Sequence, residues 1–171
     1  MPEPVGTMLT KTQFEDLYAR FGSRLHSYIL NQVSDSETAA DLAQDVFVRV
    51  LRCPFEFRVE NEAVGYLYRT AFSVVMDHFR REKRAHFWDF AAPASRPMNP
   101  DLSTDVERAF DQLKMKDRTL LWLAYIEEMT HSEIAAIIKV KEGSVKVLLS
   151  RARNRMESSL KKHGVSAEEF A

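Results

Sequence analysis

The sequence predicts an all-α protein made of two small helical domains, and three observations carry this. Apolar residues recur every three to four positions over long stretches, and no alternating run is long enough for a sheet. Two S/T-x-x-E patterns, Ser34 with Glu37 and Thr130 with Glu133, read as capping boxes that start helices. Between residues 85 and 104 the period is lost, charge thins out, and Pro93, Pro97 and Pro100 cluster, so this stretch reads as a linker. The domains are therefore placed at residues 10–85 and 105–163, with the linker at 86–104. Each piece is large enough for a small, marginal helical bundle. Phe87, Trp88 and Phe90 would let the start of the linker pack on a domain.

The first helix is expected over 12–32, with Phe14, Leu17, Tyr18, Phe21, Leu25, Tyr28 and Ile29 on one stripe. A second, starting at the Ser34/Glu37 box, runs through AADLAQDVFVRVLR and stops before Pro54. Leu42, Ala43, Val46, Phe47, Val50 and Leu51 form its buried side. Asp41, Gln44, Asp45, Arg49 and Arg52 form the other. The third runs from about Asn61 to Lys83, with Val64, Leu67, Ala71, Val75 and Phe79 inward. Tyr66, Arg69, Ser73, Asp77, Arg80 and Arg84 lie on another face. In the second domain, helices are expected near 103–113, 117–127, 131–138 and 143–161.

Composition excludes several classes. The chain has 171 residues, 45% hydrophobic and 29% charged, which is neither a disordered nor a membrane composition. The N-terminus lacks the basic and apolar regions of a secretory signal. No apolar stretch approaches the roughly 18 residues of a bilayer span. Cys53 is the single cysteine, so no intrachain disulfide or cysteine-zinc framework is expected, and a reducing, cytoplasmic location fits. His26, His78, His86, His131 and His163 are scattered. No catalytic constellation, metal site or cofactor motif is expected.

Net charge is −1 but is unevenly spread. Residues 9–68 hold six Lys/Arg against nine Asp/Glu, whereas residues 139–162 hold eight basic residues against Glu142 and Glu157. Residues 69–84 hold five basic residues against Asp77 and Glu82. Two separate basic patches matter more for nucleic-acid binding than the total.

THSEIAAIIKVKEGSVKVLLSRARNR, residues 130–155, has the spacing of a helix-turn-helix. With His131 as position one, Ile134, Ile138, Val140, Val145 and Leu148 fall at core offsets, and small Ala135 lies where the helices cross. The turn is at Lys139–Glu142. Glycine is usual where Lys139 stands, and a left-handed backbone there costs lysine about 1 kcal/mol more than glycine. The second helix exposes Lys146, Val147, Ser150, Arg151, Asn154 and Arg155, with Arg153 nearby. Arginine suits guanine edges or phosphates. Ser144, near the helix start, can join free backbone amides on a phosphate.

Three segments, AADLAQDVFVRVL (39–51), GYLYRTAFSVVMDHFRREKR (65–84) and MTHSEIAAIIKVKEGSVKVLLSRARNRM (129–156), together resemble the extracytoplasmic-function group of bacterial sigma factors. The resemblance covers nearly the whole chain apart from the linker and both ends. It implies a sigma-2 and a sigma-4 domain on a flexible linker, binding to core RNA polymerase, and promoter-specific initiation of transcription. It assigns Asp41, Gln44, Asp45 and Arg49 to the clamp helices of the large catalytic polymerase subunit. For the −10 element it implies Tyr66, Arg69, Ser73, Arg80, Arg81, Lys83 and Arg84. There the family often has tryptophan at Tyr66 and asparagine at Ser73. Tyr68 and Phe72 fit either base contact or core packing. For the −35 element it implies Lys146, Val147, Ser150 and Arg151, with Arg153 and Arg155 on phosphates, beside the Ser144 already placed at the helix start. The family's usual K-S-R-L is Lys146-Val147-Leu148-Leu149 here, with Leu148 expected to pack inward, so fewer polar −35 contacts are expected. An anti-sigma factor is a further implied partner; membrane insertion is not. A conventional helix-turn-helix regulator with an effector domain is the alternative, but it leaves the acidic second helix and the basic third helix without a role.

Overall fold

The computed structural model describes residues 9–52, 60–88 and 105–163. They form seven α-helices: α1 (Lys11–Val33), α2 (Ser36–Leu51), α3 (Glu60–Trp88), α4 (Asp105–Asp111), α5 (Met115–Tyr125), α6 (His131–Ile138) and α7 (Glu142–Lys162). The chain divides into two compact units, Met1–Ala92 and Pro93–Ala171.

In the first unit, α1 opens on a capping box in which Thr10 Oγ1 accepts from the Gln13 N–H and Gln13 Oε1 accepts from the Thr10 N–H. The corner after α1 differs from the expected Ser34/Glu37 box. Ser34 adopts φ 60°, closes α1, and donates its N–H to the Leu30 carbonyl. An N-cap needs extended backbone, which that left-handed geometry denies to Ser34. Asp35 takes the position instead: its Oδ2 accepts from the Thr38 N–H at 2.7 Å.

α2 packs on both α1 and α3, and α3 also meets α1. Leu25, Tyr28 and Ile29 of α1, Ala39, Val46 and Val50 of α2, and Leu67, Tyr68, Ala71, Val74 and Val75 of α3 are wholly buried. The expected inward residues Val64 and Phe79 are only half-buried, and Leu51 is exposed. Helix α3 continues five residues past Lys83, into the start of the segment read as linker. Cys53, residues 89–104 and the Arg84 side chain lie outside the described residues.

In the second unit, α7 is the long element on which α4, α5 and α6 converge. Thr130 and Glu133 form the expected capping box at α6. Lys139 closes α6 at φ 57°, ψ 56°, the left-handed geometry expected of this turn. Ile134, Ile137, Val145 and Ala152 lie in the core with Leu120 and Leu123. The buried stripe of α7 runs Val145, Leu149, Ala152. Leu148, expected inside, sits on its flank and is half-buried, because the fourth rather than the third residue after Val145 meets the core. Among the described residues the largest fully buried side chain is Arg118, whose Nη1 donates to the Asp111 carbonyl and to Asp111 Oδ1, each at 3.1 Å.

Candidate functional site

Three faces carry the residues singled out from sequence. The first is the outer side of α2. Asp41, Gln44 and Arg49 are exposed and Asp45 is half-exposed. Arg49 grips Asp45 one turn away, Nη2 to Oδ2 at 3.0 Å and Nε to Oδ1 at 3.2 Å. Asp41 is left as the outward carboxylate of this row. Beside it, α1 and α2 leave a groove of about 810 Å³ lined by Phe14, Tyr18, His26, Gln44, Phe47 and Leu51, among others. Phe14, Tyr18 and Phe47 form an aromatic cluster, and Tyr18 is 56% exposed. The periodicity of α1 put Tyr18 on its apolar stripe. It could not show that α2 leaves that end of the stripe open.

The second face lies along α3. Tyr66, Arg69, Ser73, Asp77 and Arg80 follow one another at three- or four-residue steps and so share a side of the helix. Arg69, Arg80, Arg81 and Lys83 are exposed, and Tyr66 and Ser73 are half-buried. Asp77 anchors the basic end: its Oδ1 accepts from Arg80 Nη1 at 3.2 Å, and its carbonyl accepts from Arg81 Nε at 3.3 Å. The open choice for two aromatics closes here. Tyr68 is fully buried, its ring edge-on to Tyr28 with centroids 5.5 Å apart, and Phe72 is buried beside it on α3. Both belong to the core.

The third face is the outer side of α7. Ser144, Lys146, Val147, Arg151 and Arg153 are exposed, and Ser150 is half-buried. Val147 is 50% exposed. The N-cap, Lys141, makes no side-chain cap hydrogen bond, so this end keeps backbone N–H groups for an anion. Lys139 and Lys141 are exposed at the same end. They precede α7 in the chain and extend its basic face beyond the helix itself, within the basic run 139–162. Two of the arginines are engaged with α5. Arg153 Nη1 donates to Tyr125 Oη at 3.3 Å. Arg155 Nη1 donates to both carboxylate oxygens of Asp117, at 2.7 and 2.9 Å. Among the described residues, no three His, Cys, Asp or Glu side chains gather to hold a metal ion, and no helix is long and apolar enough to cross a membrane.

Two helical units, one with an acidic and a basic helix face and the other with a helix-turn-helix, match known families in that order. Residues 17–85 match sigma-70 region 2, and residues 103–156 match sigma-70 region 4. The chain belongs to the sigma-70 family. The RNA polymerase sigma factor YlaC of Bacillus subtilis is 25% identical over 166 residues, covering 91% of this chain and 96% of that protein. The ECF RNA polymerase sigma factor SigM of Mycobacterium tuberculosis is 27% identical over 146 residues, covering 84% of this chain and 74% of that one. Within the family, the chain is a member of the extracytoplasmic-function (ECF) group. In fold it is similar to the sigma factor RpoE of Bartonella quintana, solved in complex with the anti-sigma factor NepR. The TM-score is 0.71 at 22% identity, covering 88% of this chain and 98% of that chain.

Proposed function

We propose that the chain binds core RNA polymerase and directs it to promoters, reading the −10 element with α3 and the −35 element with α7. The observation that carries this is the presence, in one chain matched by both sigma regions, of three faces with different chemistry. An acidic row with an adjoining aromatic groove suits a protein partner that brings cations and apolar side chains. Asp41, Gln44, Asp45 and Arg49 are the residues offered to the polymerase clamp helices. Tyr66 offers a stacking surface for an unpaired base, Ser73 a short hydrogen-bonding edge, and Arg69, Arg80, Arg81, Lys83 and Arg84 the charge to follow a single strand. On α7, Lys146, Ser150 and Arg151 address base edges in the major groove, and Val147 suits a thymine methyl. Ser144 and Arg153 fit phosphates, with Lys139 and Lys141 added to them.

RNA synthesis remains the polymerase's chemistry; this chain selects where it begins, in the cytoplasm and without a cofactor. By extension from the complex with NepR, an anti-sigma factor is the regulator proposed here. Run-off transcription from a cognate promoter, with purified core polymerase as the only other protein, tests the reading. Specific transcripts are expected only when this chain is added. If initiation also needs another sigma factor, the chain is a conventional regulator.

A further inference from the structure

Arg155 looks at first like one more cation on a DNA-reading helix, but its surroundings assign it differently. Its carboxylate partner Asp117 is only 8% exposed, whereas the Arg155 side chain is 53% exposed. Asp117 is the third residue of α5, and Arg155 reaches it from α7 across 38 residues of sequence. A buried carboxylate stripped of its cation is strongly unfavourable. Arg155 therefore cannot leave for a phosphate without stranding Asp117. As a pair the two groups carry no net charge, so they displace no counterion when DNA binds. The ion pair belongs to a longer chain of contacts, because neighbouring Arg118 ties α5 back to Asp111 at the end of α4. Arg155 also lies one helical turn beyond Arg151, so the tie braces α7 directly behind an exposed reading residue.

We propose that Asp117 is a positioning residue for −35 recognition: through Arg155 it fixes the rotation and pitch of α7 on α5, and Arg155 serves as that strut rather than as a phosphate contact. The proposal rests on α7 being the −35 reader.

The test uses holoenzyme assembled from core polymerase and the full chain. Its affinity is measured over a salt series for two promoter fragments, one with the −35 element intact and one with it scrambled. Asp117→Asn and Arg155→Gln are each expected to weaken binding to the intact fragment by about three- to tenfold. The double variant should be no weaker than either single one. The slope of log affinity against log salt should stay at the parent value in the double variant, which keeps the net charge of the pair at zero, while Arg151→Ala or Arg153→Ala serves as the exposed-arginine comparison. Binding to the scrambled fragment and to core polymerase should hardly move. The inference is overturned if the double variant, in which the pair's net charge is unchanged, flattens the slope by about 1, the mark of a lost phosphate contact. It is equally overturned if Asp117→Asn binds the intact fragment as the parent does. A folding defect is separated by the paired change Asp117→Leu with Arg155→Met, which keeps the interface filled and should melt no lower than the parent. That protein should still lose preference for the intact −35 element, and full preference in it refutes the positioning role. A parent holoenzyme that does not distinguish the two fragments overturns the reading of α7 itself.

Discussion

Asp35 shows how one side chain decides a corner. Hydrogen bonds from the Thr38 hydroxyl and backbone N–H hold its carboxyl below the ordinary value of 3.8. A lowered folded-state value means that the cap stabilises the protein fully above the ordinary aspartate range. That contribution is lost as pH falls through the folded value. Asp35→Ala is therefore expected to lower the melting temperature at pH 7, with the gap to the parent closing below about pH 4. Asp35→Asn keeps an acceptor and should fall between the two. Lys139 makes a different compromise. It bears the left-handed backbone that glycine adopts more easily, yet it is exposed beside the start of α7. Lys139→Gly should raise the unfolding free energy by up to about 1 kcal/mol in denaturant titrations, since relief of backbone strain is partly offset by a more flexible unfolded chain. The same variant should flatten the salt dependence of promoter binding by about 1 if the lysine meets a phosphate. An unchanged slope would leave Lys139 as a solubilising residue.

At the scale of elements, the helices themselves were legible from apolar periodicity, and so was most of the helix-turn-helix, although Val140 and Leu148, placed at core offsets, are only half-buried. Ile134, Ala135, Ile138 and Val145 are buried where spacing alone put them. The exceptions have physical causes. Ser34 and Asp35 are both good capping residues, and only the backbone geometry of the preceding helix end chooses between them. Periodicity gave Tyr68 to neither side decisively, because an amphipathic ring can line a core or stack on a base. The Asp117–Arg155 pair was invisible because nothing local connects residues 38 positions apart. The groove beside α2 was missed since it is made by two helices and belongs to neither. Two predictions belong at this scale. Asp45→Arg places a cation beside Arg49 and reverses the acidic row, so affinity for core polymerase in a fluorescence titration should fall by about tenfold or more, as like-charge contacts require. Unchanged affinity would remove α2 from the docking surface. On α3, Ser73→Asn lengthens the hydrogen-bonding reach at the −10 face and should shift base preference across a promoter-variant library without changing core affinity. An identical preference profile would show that Ser73 does not read a base.

Across the whole molecule, the near-zero net charge hides a division of labour. The acidic row of α2 and the basic face of α7 sit in different units, and each unit has its own buried core. Such a chain is not held on DNA indiscriminately by its overall field, since its total charge is −1. On the proposed function, selectivity then comes from joining two modest readers. Once α3 or α7 engages its element, the other acts at an effective concentration set by the connecting segment. Splitting the chain between Ala92 and Pro93 should therefore leave both pieces folded, each melting cooperatively with helical circular dichroism. The first piece should keep its affinity for core polymerase. Mixed together at micromolar concentration, the two pieces should give run-off transcript from a promoter with both elements at least about 100-fold below that of the intact chain, because the linkage advantage is lost. On a template whose −35 element is scrambled, the intact chain should lose most of its lead over the mixture. Equal transcription by the pieces and the intact chain on the two-element promoter would mean that polymerase, and not the covalent connection, brings the two readers together.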